Sequence, residues 1–250
     1  MCAATYDTDV TTWSPQGRLY QVEYAAQAVN QGSPVVGLKS EKAVVLVALK
    51  RRATELESYT EKLFGIDAHL GVGIAGLNAD GRVLHKHMRQ ECLNHRYVYD
   101  APMNVGRLAA HLGKKAQKAT QSASKRPFGV GMLLAGSDKV GVHLYETSPT
   151  GNLYDYIATA IGGRSQSART YLEKHFETFK DCSDNELVLH GLRALTKCLE
   201  QDGHLTAENV SVGVCSIESR WKLLSGAEIL QALNHIKDEN NAGPAPMETS

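Results

Sequence analysis

Residues 6–32 read YDTDVTTWSPQGRLYQVEYAAQAVNQG: a polar lead-in, a tight turn and one short helix. Ser14, Pro15 and Gly17 hold the first, second and fourth places of a type I turn. There Pro presets φ and Gly lets the chain leave without a Cβ clash. The helix that follows, residues 18–31, puts Leu19, Val22, Ala26 and Val29 on one face, with Gly32 at the expected C-terminal stop. Ala25, Ala26 and Ala28 are small enough for another backbone to come close. On pattern alone, such a helix is compatible with ordinary core packing.

Beyond this helix, the β-branched runs Val35–Lys39 and Ala43–Leu49 flank a polar break and predict a hairpin. A third strand is predicted over Leu70–Gly76. Asn78 is placed to cap a long helix reaching toward Tyr97, with Val83, Leu84, Met88, Cys92 and Leu93 as its buried stripe. Asn104 opens a second helix that turns Leu108 and Leu112 inward. Strands return at Val130–Ala135, Gly141–Glu146 and Tyr154–Ile161, helices at Ser165–Phe179 and Asn185–Leu199. A strand at Val210–Ile217 and a helix near Ala227–Ile236 close the order. Strands, two helices, strands, two helices suggest α+β layers, with sheets face to face and helices outside.

At 250 residues and 42% apolar, the chain can bury a large core; no Pro/Gly/Ser-rich linker divides it, so one domain is expected over residues 14–237. Residues 1–13 form a leading segment, and 238–250, ending NNAGPAPMETS, carry too little apolar surface to fold alone. Charge balances at 27 basic and 27 acidic residues, which argues against whole-surface attraction to nucleic acid or anionic membrane. Lys50-Arg51-Arg52 is only a short basic run. MCAATYDTDV lacks the apolar core of a secretory signal, and no run reaches the roughly 18 apolar residues of a membrane helix. Five cysteines without CxxC spacing fit reduced thiols in a cytosolic or nuclear protein; the Asn209-Val210-Ser211 sequon is then silent.

Several motifs have plain readings. Gly71-Val72-Gly73-Ile74-Ala75-Gly76 is formally GxGxxG, yet its interleaved apolar residues make it the strand itself, not a phosphate loop opening a helix. His85 and His87 stand two apart on a helix and point to different sides, so no metal site is expected. Gly163-Arg164-Ser165 opens a helix, and N-capping by Ser165 accounts for it without a bound anion.

The opening segment, as YDxxVTxWSPxGRxxQxEYAxxAVxxG, resembles the N-terminal signature of alpha-type subunits of the 20S proteasome. Similarity continues through GLKSEKAVVLVALKR, HLGVGIAGLNADGRVL, MRQECL, RPFGVGMLLAG, GGRSQSARTYLEKH and HGLRALTKCL. The resemblance implies a four-layer αββα sandwich of the N-terminal-nucleophile hydrolase type. It also implies a non-catalytic ring component with roles in assembly, gating of the substrate entrance and docking of regulators.

Active members of that family cleave after a Gly to expose a Thr, whose hydroxyl attacks while its free amine moves the proton. The matching position here is Ser33, followed by Pro34 and preceded by a helix in place of a disposable propeptide. Leu49 stands where the supporting carboxylate belongs, while Lys62 and Ser165 do match active-site positions. No catalytic residue is therefore expected, and no cofactor or metal. The rivals are a self-processing hydrolase whose mature chain starts at Ser33, and a free-standing monomeric binding protein.

The resemblance carries three further expectations. Tyr6, Asp7, Pro15 and Tyr24, with Gly17 of the turn, match the family cluster that holds the open form of the entry gate, although Thr8 replaces the Arg that many alpha-type members have there. Arg18, Gln21, Glu23 and Ala25 on the N-terminal helix match ring contacts. Lys62 matches the lysine that receives an activator's C-terminal carboxylate. Implied partners are other alpha-type and beta-type subunits, regulatory caps with 19S-type ATPase tails or other activators, and unfolded polypeptide in passage. The implied compartments are cytoplasm and nucleus.

Overall fold

The computed structural model of the chain describes residues 6–200 and 203–241. Residues 1–5 of the leading segment, Cys2 among them, and all but the first residues of the expected tail lie outside that range. The order is α1 (Tyr20–Gln31), β1 (Val35–Lys39), β2 (Ala43–Leu49), β3 (Leu63–Asp67), β4 (Leu70–Gly76), α2 (Asn78–Tyr99) and α3 (Val105–Thr120). Then come β5 (Val130–Asp138), β6 (Gly141–Thr147), β7 (Leu153–Asp155), β8 (Ala158–Ile161), α4 (Ser165–His175) and a 3₁₀ turn (Phe176–Asp181). The last elements are α5 (Asp184–Thr196), β9 (Val210–Ser216), β10 (Lys222–Leu223) and α6 (Gly226–Asn241).

Two antiparallel five-stranded sheets run β10-β9-β2-β1-β8 and β3-β4-β5-β6-β7. The β1–β2 hairpin pairs Val35 with Ala48 and Lys39 with Val44. Alternate residues divide between layers. Along β2, Ala43, Val45, Val47 and Leu49 face α4, α5 and α6, while Val44, Leu46 and Ala48 face the other sheet. Burial on both faces explains why that strand is an unbroken apolar run. On the far side, Val72 and Ile74 of β4 meet Leu84, Met88 and Cys92 of α2 and Leu108 and Leu112 of α3. The layers are therefore helices, sheet, sheet, helices: the expected αββα sandwich.

The glycines of β4 answer to this packing. A Cβ on Gly71 would stand 2.1 Å from the indole of Trp221, and one on Gly213 of β9 would stand 2.4 Å from it. Both strands are stripped there to admit a ring between the sheets, so the formal GxGxxG is a packing device.

Several expectations need correction. The run Tyr154–Ile161 is two strands in different sheets: β7 pairs with β6, and β8 pairs with β1. The chain changes sheet at Tyr156-Ile157, and an apolar run cannot reveal that corner. The strands β3 and β10 have no counterpart in the sequence reading; β3 carries a bulge between Gly65 and Asp67, which breaks its alternation. Asn78 is the first residue inside α2, and Leu77 takes the cap position without a side-chain bond. Val83 and Leu93 are exposed, and the buried stripe of α2 is Asp80, Gly81, Leu84, Met88 and Cys92. Helix α6 runs to Asn241, so residues 238–241 belong to the helix and not to the tail. The first helix starts at Tyr20, with Arg18 and Leu19 before it.

Candidate functional site

The expected turn at Ser14 forms with three hydrogen bonds. Gly17 N–H donates to Ser14 O at 2.9 Å, Ser14 N–H to Arg18 O at 2.9 Å, and Arg18 N–H to Ser14 Oγ at 3.1 Å. Gly17 has φ of +74°, where a side chain is strained, so glycine is required at this exit. Pro15 is exposed on the turn, and Ser14 beneath it is buried.

Helix α1 then reaches back to the leading segment. Tyr24 Oη donates to Asp7 Oδ2 at 3.3 Å, and Gln21 Nε2 donates to Asp7 O. Partial burial, with Asp7 beside it, raises the pKa of Tyr24 and keeps the phenol a donor. Arg18 clasps Glu23 through both guanidinium edges, Nε to Oε1 at 2.8 Å and Nη2 to Oε2, which holds Glu23 below the usual carboxylate pKa. Arg18 also lies over the Tyr20 ring, and Tyr20 stacks on Tyr24. The structure thus joins Asp7, Gln21 and Tyr24 in one cluster and Arg18 and Glu23 beside it. Tyr6 is half-buried at the start of this segment. Ala25 is buried within the chain: the inward face of α1 is Val29, as predicted, and Ala25 in place of the predicted Ala26.

Gly32 ends α1 where the stop is expected, in an extended conformation, φ −66° and ψ 153°, that does not itself call for glycine. Its glycine has a different cause: a Cβ would lie 2.2 Å from Gly76 N. Gly32 O accepts from Gly163 N–H at 2.7 Å, tying the end of α1 to the loop before α4. Ser33 follows with 3% exposure and a hydroxyl that has no hydrogen-bond partner among the described residues. Leu49 stands beside this segment, donating its N–H to Pro34 O at 3.0 Å, and its side chain joins the core under α4 and α5. Ser165 lies in the first turn of α4; the cap position is held by Arg164 at φ +57°, with no side-chain cap bond, so Ser165 is not the cap.

Lys62 is the unusual cation. It is 4% exposed, and its Nζ donates to Asn78 Oδ1 at 3.3 Å. No carboxylate oxygen of the described residues lies within 4 Å of the ammonium. Burial, with the charge of Arg51 nearby, lowers its pKa below the usual lysine value. Asn78 opens α2, whose N-terminus has no side-chain cap. A buried ammonium therefore stands beside the positive end of a helix, an arrangement that favours an anion. Asp80, also in that first turn, is already engaged: Arg126 Nη1 and Nη2 grip its two oxygens at 2.7 and 2.8 Å, and Gly129 N–H donates at 3.0 Å.

Sequence reasoning missed Asp80, Arg126 and Val10. Arg126 stands 46 residues from Asp80, so no spacing rule joins them. Val10, 3% exposed, anchors the leading segment against the chain, but it sits alone in a polar stretch. His85 and His87 of α2 diverge as expected, His85 to Gly65 O and His87 toward Glu91.

Residues 29–215 match the family model described as "Proteasome subunit", and residues 6–28 match the N-terminal signature of A-type proteasome subunits. The alpha type-1 proteasome subunit of Dictyostelium discoideum is 47% identical over 246 residues, covering 98% of each chain. A probable alpha type-6 proteasome subunit of Schizosaccharomyces pombe is 48% identical over 98% of this chain and 89% of its own. The alpha type-1 proteasome subunit of Trypanosoma brucei rhodesiense is 47% identical over 96% and 91%. With the αββα layers and the turn-and-helix segment in place, the chain belongs to the proteasome subunit family as an alpha-type member resembling alpha type-1.

Proposed function

We propose that this alpha-type subunit is a non-catalytic structural member of the 20S core. In that role it supports the ring, narrows the substrate entrance and docks regulatory particles at Lys62. The observation that carries the docking role is the Lys62 ammonium: buried, bonded to a neutral amide oxygen and set at an uncapped helix start. A regulator's C-terminal carboxylate would supply the missing counter-charge. A charge-assisted contact of this kind contributes about 1.5–3 kcal/mol.

The gating role draws on the Asp7, Gln21 and Tyr24 contacts, which tie the leading segment to α1. The assembly role draws on α2, which exposes the apolar side chains of Val83, Leu93, Tyr97 and Val98. Partners in this reading are alpha-type and beta-type subunits, regulatory caps and the unfolded polypeptide that passes through, in cytoplasm and nucleus. The non-catalytic role is supported by the buried Ser33 hydroxyl and by the apolar, core-packed side chain of Leu49, which the resemblance matches to the carboxylate.

Replacing Lys62 with Ala in assembled core particles tests the docking role. Regulator-stimulated peptide hydrolysis is expected to fall while basal hydrolysis stays the same; stimulation equal to wild type with every regulator would overturn it. Intact mass tests the non-catalytic role, since a mature chain beginning at Ser33 would contradict it.

A further inference from the structure

We infer that Asn78 is the residue that keeps the Lys62 site open to a carboxylate, by orienting the ammonium with a neutral oxygen that leaves its charge uncancelled. The inference rests on reading Lys62 as a carboxylate receptor and assigns a positioning and selecting role to its neighbour. Asn78 Oδ1 accepts from Lys62 Nζ at 3.3 Å, 16 residues away across the β3–β4 hairpin. It is the first residue of α2, a position where an acidic side chain would favour the helix dipole.

An Asp at this place would have nearly the same shape, would suit the helix start and would pair with Lys62. Helix stability alone therefore gives no reason for the amide. Every other anion nearby is spent or absent among the described residues: Asp80 is held by Arg126 and the Gly129 amide, and Arg51 adds a second positive charge. Leu77 N–H is also occupied, donating to Gly129 O at 2.8 Å. What remains is one oriented ammonium beside the uncapped turn that starts at Asn78. The ligand class this suits is a peptide C-terminus with a free carboxylate, because a single flat anion can meet the ammonium and the first-turn amides together.

The test uses intact core particles carrying Asn78→Asp, Asn78→Ala or Lys62→Ala in this chain. The probe is a photo-crosslinkable C-terminal peptide of a regulatory ATPase, made as the free acid and as the C-terminal amide. The readout is the ratio of crosslinking to this chain, acid over amide. In wild type the ratio is expected to be about tenfold or more. Asn78→Asp is expected to bring it close to one, because the site then holds its own carboxylate. Asn78→Ala is expected to keep a preference for the acid but to reduce it several-fold, since the ammonium loses its guide. A wild-type ratio in Asn78→Asp, with Lys62→Ala abolishing the preference, would overturn the inference and leave the receptor reading intact. An undiminished ratio in Lys62→Ala would overturn the receptor reading itself. Should the Asp variant fail to assemble, an unchanged ratio in Asn78→Ala would overturn the role of Asn78.

Discussion

Gly32 and Gly76 meet backbone to backbone, so that a Cβ on Gly32 would fall 2.2 Å from the Gly76 amide nitrogen. This contact seats the end of α1 against the end of β4, immediately before α2 begins. The end of the N-terminal helix and the start of α2, where Asn78 meets Lys62, thereby share one corner of the fold.

The first prediction concerns that contact. Gly32→Ala places a methyl against backbone atoms that cannot turn aside, and overpacking of this kind costs about 1–3 kcal/mol. Thermal unfolding is expected to show that loss. Gly17→Ala, where a Cβ meets nothing within 4 Å, is expected to act only through its positive φ and to cost less. Equal effects at the two sites would contradict the packing argument.

The Asp80–Arg126 pair predicts a pH dependence. Arg126 beside it holds the Asp80 carboxyl below its ordinary value of 3.8. A depressed carboxylate stabilises the fold above its unfolded pKa, and that contribution is lost as pH falls through the lower folded value. Arg126→Ala is therefore expected to destabilise by about 1–2 kcal/mol near neutral pH, a modest figure because the guanidinium is largely in solvent. The difference from wild type is expected to shrink under acid conditions. A gap that stayed constant as pH falls from the unfolded carboxylate value of 3.8 through the lower folded value would rule out the ion pair as its source.

Thiol chemistry should follow burial. Burial pushes the Cys92 thiol up to about 12 and Cys198 up to about 11, leaving almost no thiolate at neutral pH. Cys182 is only half-buried. Among these three, iodoacetamide on the native chain is expected to label Cys182 first, as read by peptide mass. Comparable labelling of Cys92 before unfolding would show that the α2 core opens more readily than its packing implies.

The tether of the leading segment gives a fourth expectation. Tyr24→Phe removes the donor to Asp7 but leaves the Gln21 bond and the buried Val10. A modest fall in regulator-stimulated peptide hydrolysis by the core particle is expected, because this cluster is read as holding the open form of the entrance, together with faster proteolytic nicking near Thr8. No change in either would mean that Val10 and Gln21 hold the segment unaided.

Local chemistry alone determined much of this protein. The Ser14–Gly17 turn, the β1–β2 hairpin, the Asn104 cap of α3 and the run of Gly71–Gly76 as a strand depend on residues a few positions apart. Turn propensity and periodicity report such short-range preferences directly. The resemblance of the first residues to a known signature pointed to Asp7 and Tyr24 as one cluster, and the resemblance further along the chain pointed to Lys62, without its partner Asn78. Only the tertiary structure decided that Tyr156-Ile157 is a corner between sheets, that Ala25 turns inward, that Trp221 lies in a slot cleared by Gly71 and Gly213, and that Asn78 and Asp80 take different cations. Each of those facts joins residues far apart in the chain. Which distant groups share a space depends on how whole layers pack, and no local preference carries that information.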